Sequence, residues 1–199
     1  MASVTHTPVS AEADGPLRNE PDESLACRAA TNQAAMTELY VRYQFLIFQY
    51  CRHRISDAEQ VNDIVSEIFL KVLADLAKGT KIERFRSWIF TIAHNEIANA
   101  YRARRPESSL DDVLLRADPG PSPEDIAVDA SNLHFLHTLM KKLKKSYRDV
   151  IELRLAELTN SEIGEVLGKS KAWVDWTQHR AYKQLRKLVI ESKLKGEKS

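Results

Sequence analysis

Residues 159–188 read TNSEIGEVLGKSKAWVDWTQHRAYKQLRKL. Two helical patterns flank a tight turn, and the second is basic. Thr159 with Glu162 three residues on predicts a capping box. Gly168 predicts a helix stop, and Ser170 the N-cap of a last helix running to about Ser192. Ile163, Val166 and Leu167 form one apolar stripe; Val174, Ala181, Leu185 and Leu188 form the matching one. That spacing leaves Lys171, Ala172, Asp175, Trp176, His179 and Arg180 outward, as in a helix-turn-helix whose second helix enters a major groove. Lys169, Lys171, Arg180, Lys183, Arg186 and Lys187 can reach phosphates, which supply much of the affinity for DNA. Any basic helical hairpin shares these features, so a purely structural pair stays open as an alternative. Trp173, Asp175 and Trp176 are also unusual near the start of such a helix, where small or basic groups are common.

Upstream, the pattern is helical throughout and no strand signal of weight occurs. The first 21 residues are polar, with Pro8, Gly15, Pro16 and Pro21, and read as a disordered tail. A helix is expected over DESLACRAA with Asp22 as N-cap. In 34–55, Leu39, Tyr43, Leu46, Ile47 and Tyr50 recur at helical spacing. In 58–78, Val61, Ile64, Val65, Ile68, Val72 and Leu76 share a face, and Gly79 ends the helix. In 85–105, Trp88, Ile89, Ile92, Ala93 and Ile97 turn inward, and Pro106 stops the helix. Residues 106–131 hold four prolines and read as an acidic linker. From Asn132 the pattern returns, with HFLHTLMKKLKK as one helix and a second capped by Ser146. The fold class is therefore all-α: two small helical bundles, over 22–105 and 132–192, joined by the flexible linker 106–131. Residues 193–199 form a basic tail.

The 199 residues carry a net charge of only +1, but it is unevenly spread. Residues 34–105 are net +3 and residues 131–199 net +7, while 106–130 hold seven acidic residues against one basic. Two basic blocks around an acidic segment suggest a polyanionic partner. No apolar run approaches membrane-spanning length, and the N-terminus lacks the basic and apolar regions of a secretory signal. Cys27 and Cys51 have no metal-like spacing, so a reduced cytosolic chain is the simplest reading. Cys51 with His53, and His134 with His137, fall short of a ligand set. No nucleophile–base set, P-loop or paired-carboxylate motif occurs, so neither a cofactor nor a small-molecule substrate is expected.

The first bundle has a second feature. Arg84, Phe85, Arg86, Trp88, Phe90, His94, Asn95, Asn99, Tyr101, Arg102, Arg104 and Arg105 interleave aromatic and basic residues. Aromatics can stack on unpaired bases while cations track the backbone. The plainer alternative makes Phe85, Trp88 and Phe90 mostly core.

DIVSEIFLKVL, then FRSWIFTIAHNEIANAYRARR, then a linker, then YRDVIELRLAELTNSEIGEVLGKS and HRAYKQLRKL, together resemble a bacterial sigma factor of the sigma-70 family, extracytoplasmic-function group. The resemblance spans Asp22 to about Leu188. It implies that Asp63, Val65, Ser66, Glu67 and Phe69 dock on core RNA polymerase, with Ser66 standing where the family usually has Gln. It implies that Arg84, Arg86, Trp88, His94, Asn95, Asn99, Arg102 and Arg105 take the minus-ten promoter element. The loop Lys78–Glu83 would shape a pocket for a flipped-out base. Lys169, Lys171, Ala172, Asp175, Trp176, His179, Arg180 and Lys183 would read the minus-thirty-five element. The acidic linker resembles the segment that threads the RNA exit path. An anti-sigma partner is a further implication.

The family commonly reads T-V-K-S-R-L where this chain has W-V-D-W-T-Q. Asp175 and Thr177 thus replace basic residues at expected contact positions. Asp175 could accept from a cytosine amino group, and Trp176 could pack on a thymine methyl. Two other readings stay open. One is a helix-turn-helix regulator whose first bundle senses or dimerises, but it has no need of the aromatic-basic helix 85–105. The other is a helical enzyme, for which no constellation speaks.

Overall fold

A computed structural model of the chain describes residues 16–55, 57–103 and 138–196. Seven helices lie wholly within the described residues: α1 (Asp22–Ala29), α2 (Gln33–Arg52), α3 (Ala58–Ala77), α4 (Phe85–Ala103), α5 (Lys145–Leu155), α6 (Asn160–Leu167) and α7 (Lys171–Gly196). No strand occurs among them. The expected linker, His134, His137 and Arg105 lie outside the described residues.

The first lobe starts earlier than expected. A 3-10 turn, Pro16–Asn19, precedes α1. The Arg42 guanidinium donates to the carbonyls of Leu17, Arg18 and Glu20 and to the Asp22 carboxylate at 2.6 Å. Residues 16–21 are therefore held structure rather than tail. Asp22 is the first residue of α1 and Pro21 its N-cap, because the Asp22 carboxylate is taken by Arg42 and by the Tyr43 hydroxyl.

Helices α2 and α3 have side-chain caps of the expected kind. Asn32 accepts from the Ala35 N–H, and Asp57 from the N–H groups of Glu59 and Gln60. Gly79 follows the α3 C-cap at φ 75°, a left-handed conformation that suits glycine. Helix α4 takes its N-terminal partner from another element. The Phe85 N–H donates to Glu23 of α1 at 3.2 Å, which places a carboxylate at the positive end of the helix.

In the second lobe, α5 begins one residue before Ser146, after Lys144 as N-cap. The early start lets Lys145 pair with Asp149 one turn on, at 2.8 Å. Residues 138–141 are helical, and Leu139, Met140 and Leu143 are buried. The turn into α6 passes through Glu157 at φ 65°, an uncommon conformation for a non-glycine residue. The helix-turn-helix then forms as expected. Thr159 and Glu162 make the reciprocal capping box, Gly168 is left-handed at φ 62°, and Ser170 Oγ accepts from the Trp173 N–H at 3.2 Å. Helix α7 runs past the expected end, to Gly196.

The two lobes share one core. Leu39, Ile47, Tyr50, Ile68, Phe85, Phe90 and Ile97 of the first lobe lie in one contiguous buried cluster with Val150, Leu153, Leu158, Ile163 and Val174 of the second. Helix α4 packs on α6. A smaller cluster of Met140, Leu143, Ile151 and Ala181 knits α5 to α7.

Candidate functional site

Three surfaces carry the residues expected to work. The first is the outer stripe of α3. Asp63, Ser66 and Glu67 are exposed, Val65 is half-buried, and the Ser66 hydroxyl donates back to the Asn62 carbonyl at 2.8 Å. Phe69 departs from expectation. It is buried beneath Tyr40, with ring centroids 4.7 Å apart. The apolar groups that reach solvent are instead Leu70, 64% exposed, and Leu73, one turn on. With Asp63, Ser66 and Glu67 they follow i, i+3, i+4, i+7, i+10 spacing and so form one stripe. Tyr40, Val41 and Phe45 of α2 are exposed as well. Sequence reasoning passed over Leu70 and Leu73, although both fall outside the apolar face that it did assign to α3.

The second surface is α4, whose aromatic and basic residues the structure sorts. Phe85 and Phe90 are fully buried, so neither can stack on a base. Trp88 is half-buried on Phe85, with ring centroids 5.7 Å apart. Asn95, Asn99 and Arg102 are exposed at i, i+4, i+7 spacing, continuing the half-buried line of Trp88 and Ile92. Arg102 donates to the Asn99 side-chain oxygen at 2.6 Å, and Asn99 to Glu96 at 3.2 Å. That strip suits the backbone of a single strand. The loop Lys78–Glu83 is mostly exposed and leads into its upstream end.

Three residues expected on this surface look elsewhere. Arg84 pairs with Glu165 of α6, and Arg86 lies 3.8 Å from Glu157. The His94 ring meets the Tyr50 hydroxyl at 2.9 Å, inside the seam between the lobes rather than on the open strip. Burial, followed by the Arg54 charge, pulls the imidazole down to about 4. The group is held neutral, so its contribution to stability is present above the ordinary histidine value of 6.5 and lost as pH falls through 4. Glu152 in the same seam has the opposite sign. Burial pushes it up to about 7, so its contribution is full below its ordinary value of 4.5 and lost as pH rises through 7. The two oppose each other between those limits, so the ring itself is the clean reporter. In a ring-nitrogen NMR titration, His94 should stay neutral down to about pH 4. A midpoint near 6.5 would mean that the seam admits water.

The third surface is the outer face of α7. Lys171, Ala172, Asp175, Trp176, His179, Arg180 and Lys183 are all exposed, as the spacing requires, and so is Lys169 in the turn. Of the unusual residues, Trp173 is half-buried against the core, and Lys169 Nζ lies 5.9 Å above its ring. Thr177 is fully buried and cannot contact DNA; the substitution of a basic residue there is a packing matter. Trp176 is 53% exposed, and the Arg180 guanidinium stacks on it at 4.5 Å. Asp175 is not a free acceptor. Its carboxylate takes one bond from Asn160 at 2.6 Å and one from Lys171 at 3.0 Å, and these hold it below the usual carboxylate range. Asn160 also donates to Gln178 at 2.8 Å, tying the first helix of the motif to the second. Tyr147, Trp176, His179, Arg180, Lys183 and Lys187 line an open groove beside this face.

Among the described residues no helix is long and apolar enough to cross a membrane, and no group of three potential metal ligands occurs.

Comparison with known proteins gives a consistent result. Residues 39–107 match the family model for sigma-70 region 2. The chain is 33% identical over 179 residues to the ECF RNA polymerase sigma factor ShbA of Streptomyces griseus, covering 83% of this chain and 94% of the relative. It is 30% identical over 164 residues to the RNA polymerase sigma factor YlaC of Bacillus subtilis, covering 80% and 94%. Among solved structures, it is similar to CnrH in complex with the cytosolic domain of CnrY, with a TM-score of 0.67 and 26% identity over 85% of this chain and 97% of the other. The fold is also that of the sigma factor RpoE from Bartonella quintana, solved with the anti-sigma factor NepR, at a TM-score of 0.58 and 16% identity over 77% and 95%.

Proposed function

The chain belongs to the extracytoplasmic-function group of sigma-70-family RNA polymerase sigma factors, and on that premise we propose a role for each surface. The outer stripe of α3, Asp63, Val65, Ser66, Glu67, Leu70 and Leu73, docks on core RNA polymerase. Phe69 supports that stripe from below. The open strip of α4, Trp88, Asn95, Asn99 and Arg102, holds the melted minus-ten strand, joined by Arg84, Arg86 and Arg105. The outer face of α7, with Lys169 and Lys183, reads the minus-thirty-five duplex. Residues 22–105 and 132–192 are the two working domains. The chain directs polymerase to promoters and assists strand opening in the cytoplasm, with no active site of its own. An anti-sigma protein restrains it, as the family resemblance implies; the similar solved relative CnrH is itself held in a complex, with the cytosolic domain of CnrY.

The observation that carries this reading is the apolar pair Leu70 and Leu73, left in water beside three polar residues on α3. A self-contained regulator gains nothing from that exposure, whereas a subunit that docks buries it. Each large aliphatic side chain removed from water contributes about 1.5–3 kcal/mol. The Leu70→Glu/Leu73→Glu variant should therefore bind core polymerase at least about tenfold more weakly, tenfold being 1.4 kcal/mol, while still binding duplex promoter DNA. Unchanged polymerase binding would remove α3 as the docking face. A wild-type chain that binds duplex DNA but neither binds polymerase nor makes promoter thymines permanganate-reactive would be a plain regulator.

The Asn160–Asp175–Lys171 cluster refines the minus-thirty-five reading. With its carboxylate already paired, Asp175 fixes the two helices of the motif relative to each other. Trp176 with Arg180 then presents the group that contacts bases.

A further inference from the structure

A carboxylate lies under the open strip of α4. Glu96 is only 8% exposed, and both of its oxygens are engaged. Oε2 takes the Lys71 ammonium of α3 at 2.6 Å, and Oε1 accepts from the Asn99 side-chain nitrogen at 3.2 Å. The Asn99 oxygen accepts in turn from Arg102 Nη2 at 2.6 Å, and Arg102 Nε donates to the Ala98 carbonyl at 3.4 Å. Lys71, Glu96, Asn99 and Arg102 thus form one line of polar contacts, from α3 across α4 to its exposed face.

The polarity of this line is fixed at both ends. A carboxylate only accepts and a guanidinium only donates. The Asn99 carboxamide, whose two ends are nearly equal in size, therefore has one workable orientation, nitrogen to Glu96 and oxygen to Arg102. Arg102 is laid back along the helix by its bonds to Asn99 and Ala98. Among the described residues its Nη1 has no partner, so that nitrogen remains for an outside acceptor. A loose arginine samples many rotamers, and fixing one on binding costs entropy. Here the chain holds the side chain in place beforehand.

We propose that Glu96, anchored by Lys71, is a positioning residue for the melted strand: it orients Asn99 so that Arg102 is held with its remaining nitrogen toward one backbone phosphate. This rests on the reading of α4 as a single-strand surface. A carboxylate at such a surface otherwise opposes a polyanion. The pairing with Lys71 offsets its charge, and the bond to Asn99 gives it a use.

Glu96→Gln sets charge and orientation against each other. Net charge rises by one, which by itself favours a polyanion. The new carboxamide oxygen takes Lys71, so its nitrogen faces Asn99. Asn99 must then turn its oxygen inward and its nitrogen toward Arg102, donor against donor, and Arg102 leaves its seat. Adding Asn99→Asp reverses this. The new carboxylate accepts from both neighbours, and the double variant has the net charge of the wild type.

The test uses the full chain bound to core polymerase. Each holoenzyme is isolated by gel filtration, so differences in docking do not enter. Fluorescence anisotropy measures capture of a randomised single-stranded 20-mer DNA, with core polymerase alone as background. Glu96→Gln should bind at least fivefold more weakly than wild type, against the direction of its charge. Glu96→Gln/Asn99→Asp should return to within twofold of wild type. Asn99→Ala changes an exposed position, so it folds even where a change at buried Glu96 does not. It removes the same acceptor from Arg102 and should match Glu96→Gln. Capture by Glu96→Gln or Asn99→Ala as tight as wild type would overturn the proposal and leave the strip reading intact. A weak Glu96→Gln that Asn99→Asp does not restore would reduce Glu96 to a packing residue and sink the proposal too. If the wild-type holoenzyme captures no more than core alone, the single-strand reading of α4 fails and the proposal with it.

Discussion

Replacing Phe85 with alanine should destabilise the first lobe by about 3–5 kcal/mol, the range for emptying a buried aromatic site. Phe85 is fully buried at the first position of α4. Its ring meets Tyr43 edge-on at 5.2 Å and supports Trp88 at 5.7 Å. Its N–H fixes the start of the helix on Glu23. The backbone bond survives the substitution, so the loss is one of packing. Against a net stability of roughly 5–15 kcal/mol for a domain, the urea midpoint should fall sharply. Promoter opening should fall further than stability alone requires, because Trp88 loses the surface that orients it. A loss under about 1 kcal/mol would mean that the site collapses around the cavity. Opening unimpaired at a temperature where the variant is folded would separate Trp88 orientation from Phe85.

This residue also marks a limit of reading sequence. Phe85, Trp88 and Phe90 look alike in a list of aromatic and basic residues, and periodicity does not distinguish a base-stacking ring from a core ring. The helices were legible because their causes are local. Leu39, Tyr43, Ile47 and Tyr50 repeat at helical spacing, Thr159 and Glu162 cap each other, and Gly79 and Gly168 adopt the left-handed turns that end helices. The exposed face of α7 was legible for the same reason.

What was not legible depends on partners distant in the chain. Arg54 and Asp149 are separated by 95 residues, and nothing in either neighbourhood marks them as a pair. Sequence alone places His94 among the residues expected on DNA, because its seat beside Tyr50 is a tertiary fact. Thr177 looked like a lost contact because the family pattern has a basic residue there, yet in this chain the position is fully buried. Ser146 is the better capping residue by type, but Lys144 holds the N-cap and Lys145 its bond to Asp149. Phe69 and Leu70 are adjacent apolar residues, and only the position of Tyr40 decides which of them is covered.

Gly164→Ala should disable the second lobe selectively. Glycine in mid-helix ordinarily costs up to about 1 kcal/mol relative to alanine, so a generic expectation is a gain in stability. The geometry reverses that sign. A Cβ built on Gly164 would meet the Lys169 carbonyl oxygen at 2.6 Å, with the Lys171 nitrogen at 3.6 Å. The nearest atom is backbone, so no side chain can swing aside. It also belongs to the turn itself, where the Lys169 N–H donates to the Gly164 carbonyl at 2.8 Å. Relief must come from moving α7 away from α6. Overpacking of this kind costs about 1–3 kcal/mol, and it acts on the angle at which Lys171, Trp176 and Arg180 are presented. Duplex binding at the minus-thirty-five element should fall at least about tenfold, equivalent to 1.4 kcal/mol. The α3 stripe is untouched, so binding to core polymerase through that face should persist. A variant as stable as the wild type with full duplex affinity would show that the turn yields without tilting α7. Loss of polymerase binding in step with duplex binding would show that the two lobes do not act separately.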